Sequence, residues 1–341
     1  MEDAFGRKFV RVASARGFEP TKLEANKRAD RVAVFALGGN AIAGKDGNGS
    51  HELQLGEVRR ICAGILGVLK QGYSLVITHG NGPQVGNLLI QQESAPEIVP
   101  PMPLDVCGAM TQGQIGYALS QSLRNMLRES AIEKEVIAVM TQVVVDPDDA
   151  AFTNPTKFVG PFFSKEEACA LIEDRGWEMK EDLGRGWRRV VPSPRPVEVV
   201  EQSAIAKLVA GDCVVIAGGG GGIPVRRDER GSLTGVPAVI DKDFAAQTLA
   251  NSIGAQLLIF VTPIRRVSLF FGTEQQEDIA TMTADEAFAH YQAGHFPPGS
   301  MGPKIAAAIH FLRAGGQRVV IASSETLAAG FSGEEGTQIV P

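Results

Sequence analysis

The sequence predicts an α/β fold in which short apolar strands alternate with helices. Three observations support this prediction. Apolar runs of strand length, such as residues 32–37 and 74–78, precede longer segments with helical apolar spacing. Several of the strands end in glycine-rich stretches, which is typical of ligand-binding turns in parallel sheets. The 341-residue chain is 44% hydrophobic and 21% charged, which is ordinary for a globular protein.

Composition and charge limit the function classes. The formal net charge of −6 gives no indication of a nucleic-acid or anionic-membrane partner. No apolar run approaches the roughly 20 residues of a membrane helix, and the N-terminus has no apolar signal core. The cysteines form no Cys-x-x-Cys pair, so they predict neither a zinc site nor a disulfide framework. We expect a cytoplasmic protein with reduced cysteines and no protein-bound metal.

The length predicts about two domains, or one large α/β domain with an insertion. Residues 1–30 are charged and lack periodicity, so we interpret them as a mobile extension. The main domain would then span residues 31–341. Within it, residues 146–196 have weak apolar periodicity, contain Trp177 and Trp187, and are bounded by prolines. This segment is predicted to be an inserted subdomain or lid, and it is called the insertion below.

Two strands are predicted to end in glycine at the start of the chain. Residues 32–37 run into Gly-Gly-Asn at 38–40, and residues 74–78 run into His-Gly-Asn-Gly at 79–82. A ligand could approach backbone N–H groups closely at such turns, although a tight turn explains the first equally well. His79 could act as a general base, but a structural histidine is the favoured explanation.

The middle of the chain predicts two helices and two strands. Residues 54–70 and 104–128 have helical apolar spacing, and the stripe on the second helix indicates core or a dimer interface. Residues 136–145 are predicted as one strand. Residues 213–217 form the next strand and lead into five consecutive glycines. Because five glycines cost considerable backbone entropy, a close approach of backbone to ligand is the favoured explanation.

Charged residues follow these strands at helix starts. Asp241, Lys242 and Asp243 come directly after an apolar pair and open a predicted helix. A lysine fixed between two acids suits phosphoryl transfer, although the triplet alone would be read as a solvated turn. Lys304 follows Pro303, which is predicted to occupy the first position of a later helix, where an anionic ligand would offset the unfavourable lysine.

Two further strands are predicted at residues 257–261 and 317–323, the second closing the sheet. Lys157 lies in an Asn-Pro-Thr-Lys stretch of the insertion. A lysine on a proline-stiffened lid could close over a ligand phosphate. If only this segment is considered, an exposed surface lysine without a binding role is the simpler explanation.

Taken together, these stretches resemble the carbamate kinases of the amino acid kinase superfamily, from about Arg31 to the C-terminus. The resemblance rests on motifs in order along the chain, which are Ala-Leu-Gly-Gly-Asn at 36–40, Thr-His-Gly-Asn-Gly-Pro-Gln-Val-Gly at 78–86, Pro-Met-Pro-Leu-Asp-Val-Cys-Gly-Ala-Met at 101–110, Asn-Pro-Thr-Lys at 154–157, Gly-Gly-Gly-Gly-Ile-Pro-Val at 219–225, Ala-Val-Ile-Asp-Lys-Asp at 238–243 and Pro-Gly-Ser-Met-Gly-Pro-Lys at 298–304.

The resemblance implies an open αβα sandwich around a mainly parallel sheet, with a protruding lid subdomain, and a homodimer. It implies an enzyme that moves a phosphoryl group reversibly between MgATP and carbamate, giving carbamoyl phosphate and ADP. The reaction would run toward ATP synthesis in catabolism, such as arginine metabolism. Mg²⁺ would be bound through the nucleotide phosphates. A related amino-acid carboxylate kinase and a non-catalytic regulatory or binding subunit remain as alternatives.

The resemblance also implies site residues. The implied catalytic residues are Lys157, Lys242, Asp243 and Lys304. The implied substrate-binding residues are Gly38, Gly39, Asn40, Gly80, Asn81, Gly82, Gly219 and Gly220. The implied nucleotide-binding residues are Asp241, Lys242, Val267, Met301, Gly302 and Lys304.

The sequence departs from the family in two places. Residues 262–267 read Thr-Pro-Ile-Arg-Arg-Val, where the family usually has Thr-Asp-Val or Thr-Ala-Val, then an acid or lysine and Val. In the family this stretch borders the nucleotide base, so the departure motivates the non-catalytic alternative. Phe158 replaces the usual proline after the lysine at 157.

Overall fold

The computed structural model describes residues 31–341 apart from 44–49 and Leu183, and it leaves the side chains of Asn40 and Ala43 undescribed. The extension predicted over residues 1–30 therefore lies outside the described residues. Strands and helices alternate along most of the described chain, as the sequence predicts.

The strands are β1 Val32–Leu37, β2 Ser74–His79, β3 Val136–Ala138, β4 Gln142–Val145, β5 Lys157–Phe163, β6 Met179–Glu181, β7 Trp187–Val191, β8 Pro196–Val199, β9 Val214–Ile216, β10 Ile223–Arg227, β11 Leu233–Gly235, β12 Leu257–Val261, β13 Val267–Leu269, β14 Glu277–Ile279, β15 Thr281–Thr283, β16 Arg318–Ala322 and β17 Thr337–Val340. The helices are α1 Gly39–Ala43, α2 His51–Leu69, α3 Gly82–Glu93, α4 Leu104–Glu129, α5 Lys165–Arg175, α6 Gln202–Ala210, α7 Lys242–Ser252, α8 Ala284–Gln292, α9 Met301–Arg313 and α10 Leu327–Ser332. None of the helices within the described residues is both long and apolar enough to span a bilayer.

The centre of the molecule is a sheet with strand order β15-β17-β16-β12-β1-β2-β9-β3. Neighbouring strands run parallel except for β16 and β17. β1 lies in the middle and pairs along its length with β2 and with β12. Every residue of β1 is buried, which explains why its sequence is apolar without alternation.

Alternate side chains of β1 enter two separate apolar clusters. Val34 and Ala36 pack on one face of the sheet with buried residues of α7 and α9. Ala33 and Phe35 pack on the other face with buried residues of α2 and α4. The sheet thus lies between two helical layers, which confirms the prediction of an open αβα sandwich around a mainly parallel sheet.

The prediction of one strand over residues 136–145 is wrong. β3 lies at the edge of the central sheet, whereas β4 pairs with β10 in a second sheet of order β11-β10-β4-β8. The chain turns between them at the buried Thr141. Its backbone N–H donates to Oε1 of Gln112 (2.9 Å), and its carbonyl accepts from Nε2 of the same side chain (3.1 Å). This amide of α4 holds the chain away from the central sheet.

Two other predictions need correction. β16 does not close the sheet, because β17 returns antiparallel beside it and β15 lies beyond β17. Helix α9 begins at Met301, so Pro303 occupies its third position rather than its first. Proline is tolerated there because N–H groups in the first helical turn have no intrahelical acceptor.

The insertion contains its own antiparallel sheet of order β5-β7-β6. Helix α5 connects β5 to β6, and it begins with a capping box at Ser164 and ends at the left-handed Gly176. Most of α5 is solvated, which explains the weak apolar periodicity of this segment. Lys157 is the first residue of β5, so a small separate sheet carries this candidate catalytic lysine.

Candidate active site

A cavity of about 450 Å³ opens outside the carboxyl ends of β1 and β2. Ligands bind at this edge in open parallel sheets, so the cavity lies where the sequence predicts a site. It is lined by Gly38, Gly39, Gly80, Asn81, Gly82, Lys157, Gly220, Asp241, Lys242, Asp243, Met301 and Lys304 among the residues that the resemblance implies. Gly219, Val267 and Gly302 do not line it.

The two glycine turns at the strand ends touch each other. A methyl group built on Gly80 would lie 2.7 Å from the backbone nitrogen of Gly39 and 2.9 Å from Cδ of Lys242. Glycine at position 80 therefore allows two turns and the stem of a site lysine to meet. The result is a glycine-lined cavity floor next to the lysine, where an anion could approach the backbone closely.

The five-glycine run after β9 packs mainly against other parts of the protein. Gly218, Gly220, Gly221 and Gly222 have φ values between +67° and +91°, the left-handed range that favours glycine. A methyl group on Gly220 would lie 2.3 Å from Nδ2 of Asn81. The close approach that the run predicts is thus largely to neighbouring segments, although Gly220 also lines the cavity.

Three lysines and two aspartates meet at one end of the cavity. Nζ of Lys157 lies 2.7 Å from Oδ2 of Asp241. Nζ of Lys242 lies 2.6 Å from Oδ1 of Asp243, and Nζ of Lys304 lies 3.0 Å from Oδ2 of the same carboxylate. The insertion, α7 and α9 each contribute one lysine. These five side chains together carry an excess of positive charge.

The start of α7 orders this network. Asp241 is the N-cap of the helix, and its Oδ1 accepts from the backbone N–H of Asp243 (2.9 Å). Its other oxygen remains available for Lys157. The positive end of the α7 dipole adds to the charge of the lysines. A phosphate group would therefore be bound favourably here, since helix N-termini and lysines both attract anions.

Burial and charge shift two pKa values in the network. Burial opposes ionisation of Asp241, yet the nearby charge of Lys157 holds the pKa of this carboxyl at about 2. Burial lowers the pKa of Lys304, and the charge of Lys242 lowers it further, against the opposing effect of Asp243. Charged Lys304 therefore destabilises the unliganded protein, and a bound anion would offset this loss of stability.

The depressed pKa of Asp241 predicts a pH-dependent contribution to stability. Ionised Asp241 stabilises the fold above its unfolded-state pKa of about 3.9, and this contribution disappears as the pH falls through about 2. Asp241→Asn keeps an N-cap but removes the charge. We expect it to lower the free energy of unfolding by about 2 kcal/mol at pH 7.

Urea unfolding at pH values from 7 to 2 measures this contribution. The difference between wild type and Asp241→Asn should be largest above pH 5 and shrink toward zero by pH 2. Asp148→Asn removes an exposed carboxylate of the insertion and serves as the control. A difference that stays constant with pH would show that the charge of Asp241 is not responsible.

The residues that depart from the family lie beside the cavity. Pro263 and Ile264 line it. Nη2 of Arg265 pairs with Oε1 of Glu335 (2.8 Å), and Nη2 of Arg266 donates to the carbonyl of Glu334 (3.4 Å). Both arginines thus bind the segment before β17 and do not line the cavity. The two arginines that differ from the family therefore contribute to packing and not to the cavity wall.

Val267 and Phe158 occupy different environments. Val267 is buried, and its backbone N–H donates to Oγ1 of Thr337 (2.8 Å). Phe158 lines the cavity beside Lys157, and the guanidinium of Arg188 lies 5.5 Å from the centre of its ring. The residue that replaces the family's proline therefore adds aromatic surface to the cavity wall.

The cavity also has an apolar part, called the apolar end below, which was not predicted from the sequence. Phe271 and Phe296 line it, together with Ser268 and Pro297. Phe271 is 65% exposed, whereas Phe296 is buried. Two phenylalanines in the cavity wall suit a planar heterocyclic ring. The signal available in the sequence was the Phe-Phe pair between two short strands, because exposed aromatic pairs often mark binding surfaces.

His79 lies behind the floor of the cavity. Its ring is buried, and burial lowers its pKa to about 4, so it is neutral near pH 7. Nδ1 lies 3.1 Å from the carbonyl oxygen of Gly80, which it contacts as a donor in one tautomer. A methyl group on Gly219 would lie 2.4 Å from Nε2. These contacts favour the structural interpretation of His79.

Comparisons with known proteins identify the family to which this sequence is similar. The amino acid kinase family model matches residues 31–323. A carbamate kinase from Pyrococcus horikoshii is 46% identical over 310 residues, which are 90% of this chain and 98% of the relative. Carbamate kinase 1 from Enterococcus faecium is 47% identical over 304 residues, which are 89% of this chain and 96% of the relative.

A solved structure of a carbamate kinase has the same fold as this chain. The structure of carbamate kinase from Giardia lamblia bound to AMP-PNP is 40% identical in sequence and superposes with a TM-score of 0.85. The match covers 92% of this chain and 99% of that chain. The chain therefore belongs to the amino acid kinase family and, within it, to the carbamate kinases.

Proposed function

We propose that this protein is a carbamate kinase, which transfers a phosphoryl group reversibly between MgATP and carbamate and gives carbamoyl phosphate and ADP. The observation that carries this proposal is the convergence of Lys157, Lys242 and Lys304 on Asp241 and Asp243 at one end of the cavity. Relatives that are named carbamate kinases, and one structure bound to AMP-PNP, support the choice of substrates.

In this mechanism the lysines neutralise charge that develops on the transferred phosphoryl group. Lys242 and Lys304 lie on helices of the core and hold the nucleotide phosphates, while Asp243 orients both. Lys157 reaches the same group from the insertion, which acts as a lid. Carbamate is already an anionic nucleophile, so positioning and charge neutralisation suffice without a side-chain base.

Backbone groups would hold the acceptor. The backbone N–H groups of Gly38 and Gly80 donate to the carbonyls of Val261 and Leu37 within the fold. Gly39 and, at the start of α3, Asn81 and Gly82 also line the cavity and would offer their N–H groups to the acceptor. The α3 N-terminus adds a partial positive charge. We assign carbamate to this floor and the nucleotide to the region between Met301 and the apolar end.

Mg²⁺ enters this scheme as part of the nucleotide substrate. The carboxylates of Asp241 and Asp243 are engaged by lysines and by the α7 N-terminus. We therefore assign the metal to the phosphates of the nucleotide, where it neutralises charge between them. ATP and ADP are substrates of the same site in the two directions.

A coupled assay of ATP formation from carbamoyl phosphate and MgADP tests the proposed function. We expect ATP to form only when both substrates are present. Replacing carbamoyl phosphate by an acyl phosphate of an amino acid side chain tests the related carboxylate kinase. A folded protein that binds MgADP but forms no ATP would favour the non-catalytic subunit instead.

We also propose a homodimer. Met110 and Tyr117 of α4 are exposed, the second at 60%, and the preceding loop exposes Ile98 and Val99. A second copy of the chain would cover this apolar surface. Light scattering at micromolar concentration is expected to give twice the 36.2 kDa of one chain. A monomer mass would contradict this proposal.

A further inference from the structure

We infer that Glu93, at the C-terminal end of α3, is a positioning residue for Lys157. Its carboxylate holds the insertion against α3 and thereby fixes where β5 places the lysine. This inference rests on the proposed function, because it gives Lys157 a role in the reaction. Glu93 is 82 residues from Arg175 in the chain, so the contact joins two separate parts of the fold.

Glu93 contacts two elements of the insertion at once. Its Oε2 lies 2.7 Å from Nη1 of Arg175, the last residue of α5. Its Oε1 lies 3.4 Å from Nη1 of Arg189, in the central strand β7. The two guanidinium groups lie 5.4 and 4.5 Å from the centre of the Trp177 ring. One core carboxylate and one tryptophan therefore bind both arginines together.

The strand pairing connects this cluster to Lys157. In the β5–β7 pair, Arg189 stands opposite Val159, and Val191 stands opposite Lys157. Val159 is buried in an apolar cluster with Val85 of α3. Because paired strands move together, a shift of Arg189 away from Glu93 displaces the start of β5. Lys157 would then be moved relative to the phosphate site.

A second contact places β5 directly on α3. A methyl group built on Gly86 of α3 would lie 2.8 Å from Cα of Gly160 in β5 and 3.0 Å from its nitrogen. The helix and the strand thus meet backbone to backbone. The same helix begins at Gly82, which lines the cavity. Helix α3 therefore connects the cavity floor at one end to the insertion at the other.

The test compares turnover with nucleotide binding in Glu93→Ala. We expect kcat to fall by about tenfold or more, because small misplacements of a reacting group are costly. The Kd for MgADP, measured by calorimetry, should stay within about twofold, since Lys157 acts in the transition state. Glu198→Ala is the matched control, because Glu198 forms two hydrogen bonds with Arg227 in a pair whose residues do not line the cavity.

Two further variants sharpen the test. In a Lys157→Ala background, adding Glu93→Ala should cost less than about twofold, because the residue through which it acts is already absent. Gly86→Ala should lower kcat in the same manner, whereas Gly56→Ala, whose added methyl meets nothing within 4 Å, should not. Gly86→Ala and Glu93→Gln also provide tests that do not depend on the folding of Glu93→Ala.

The outcomes separate this inference from the proposed function. An active wild type whose Glu93→Ala and Gly86→Ala variants keep normal kcat would overturn the inference alone. A fall in kcat that is matched by a weaker Kd for MgADP would also overturn it. A folded wild type without carbamate kinase activity would instead overturn the proposed function.

Discussion

Replacement of Lys242 by alanine is expected to lower turnover by about a hundredfold or more while the protein stays folded. The ammonium group of Lys242 lies 2.6 Å from Asp243 and lines the cavity at the first position of α7. Under the proposed mechanism it would contact the phosphoryl group in the transition state, where a fixed positive charge stabilises most. A hundredfold loss corresponds to about 2.7 kcal/mol of transition-state stabilisation.

The fold should survive this change for two reasons. A lysine at the positive end of a helix dipole is unfavourable, so its removal relieves a small electrostatic cost. Asp243 also keeps its contact with Lys304 at 3.0 Å, so the buried carboxylate retains a cationic partner. The helix start is otherwise unchanged, because Asp241 remains its N-cap.

Steady-state kinetics and a thermal melt of the same sample test this prediction. The melting temperature of Lys242→Ala is expected to stay within a few degrees of wild type, that is, within about 1 kcal/mol of stability. Lys207→Ala, which removes an exposed lysine of α6, is the control and should keep full activity. Near-normal turnover in a folded Lys242→Ala variant would contradict the assigned role.

The strands of the central sheet could be predicted because their signal is local. β1 and β12 are buried on both faces, so their sequences are uninterrupted apolar runs, and both have the predicted bounds. The capped start of α7 was equally readable, because Asp241 precedes good helix formers. Each of these features depends on neighbours in the chain, and sequence patterns report such neighbours directly.

The failures concern contacts between distant segments. The strand predicted over residues 136–145 is split by the side chain of Gln112, which lies on a different element. The ion pair of Lys157 and Asp241 joins residues 84 positions apart, and no local pattern indicates it. The glycine run likewise packs against His79 and Asn81. Local propensity carries no information about such partners.

Alanine substitutions of Lys157 in the insertion and Lys304 in α9 are expected to change different kinetic quantities. Lys157 begins a strand of the small separate sheet, and its side chain is 33% exposed. Lys304 has a side chain that is 13% exposed, on a helix whose other face is packed in the core. The first lysine depends on how the insertion is placed, whereas the second is fixed.

A residue on a lid contributes in the transition state more than in the ground state. Lys157→Ala should therefore lower kcat by about a hundredfold while leaving the Kd for MgADP within about threefold. Lys304→Ala should weaken MgADP binding itself, by about tenfold or more, because it would remove the charge proposed to hold a nucleotide phosphate. Calorimetry gives the Kd of each variant, and the coupled assay gives kcat.

The pKa of Lys304 supplies a control for folding. Because burial lowers this pKa, the charged side chain costs stability at pH 7, and that cost is relieved only as the pH rises toward the ordinary lysine pKa. Lys304→Met should therefore unfold at the same temperature as the unliganded wild type or higher, even though it binds MgADP poorly. If Lys157→Ala weakens MgADP binding as much as Lys304→Ala does, Lys157 belongs to a fixed nucleotide pocket and the insertion is not a lid.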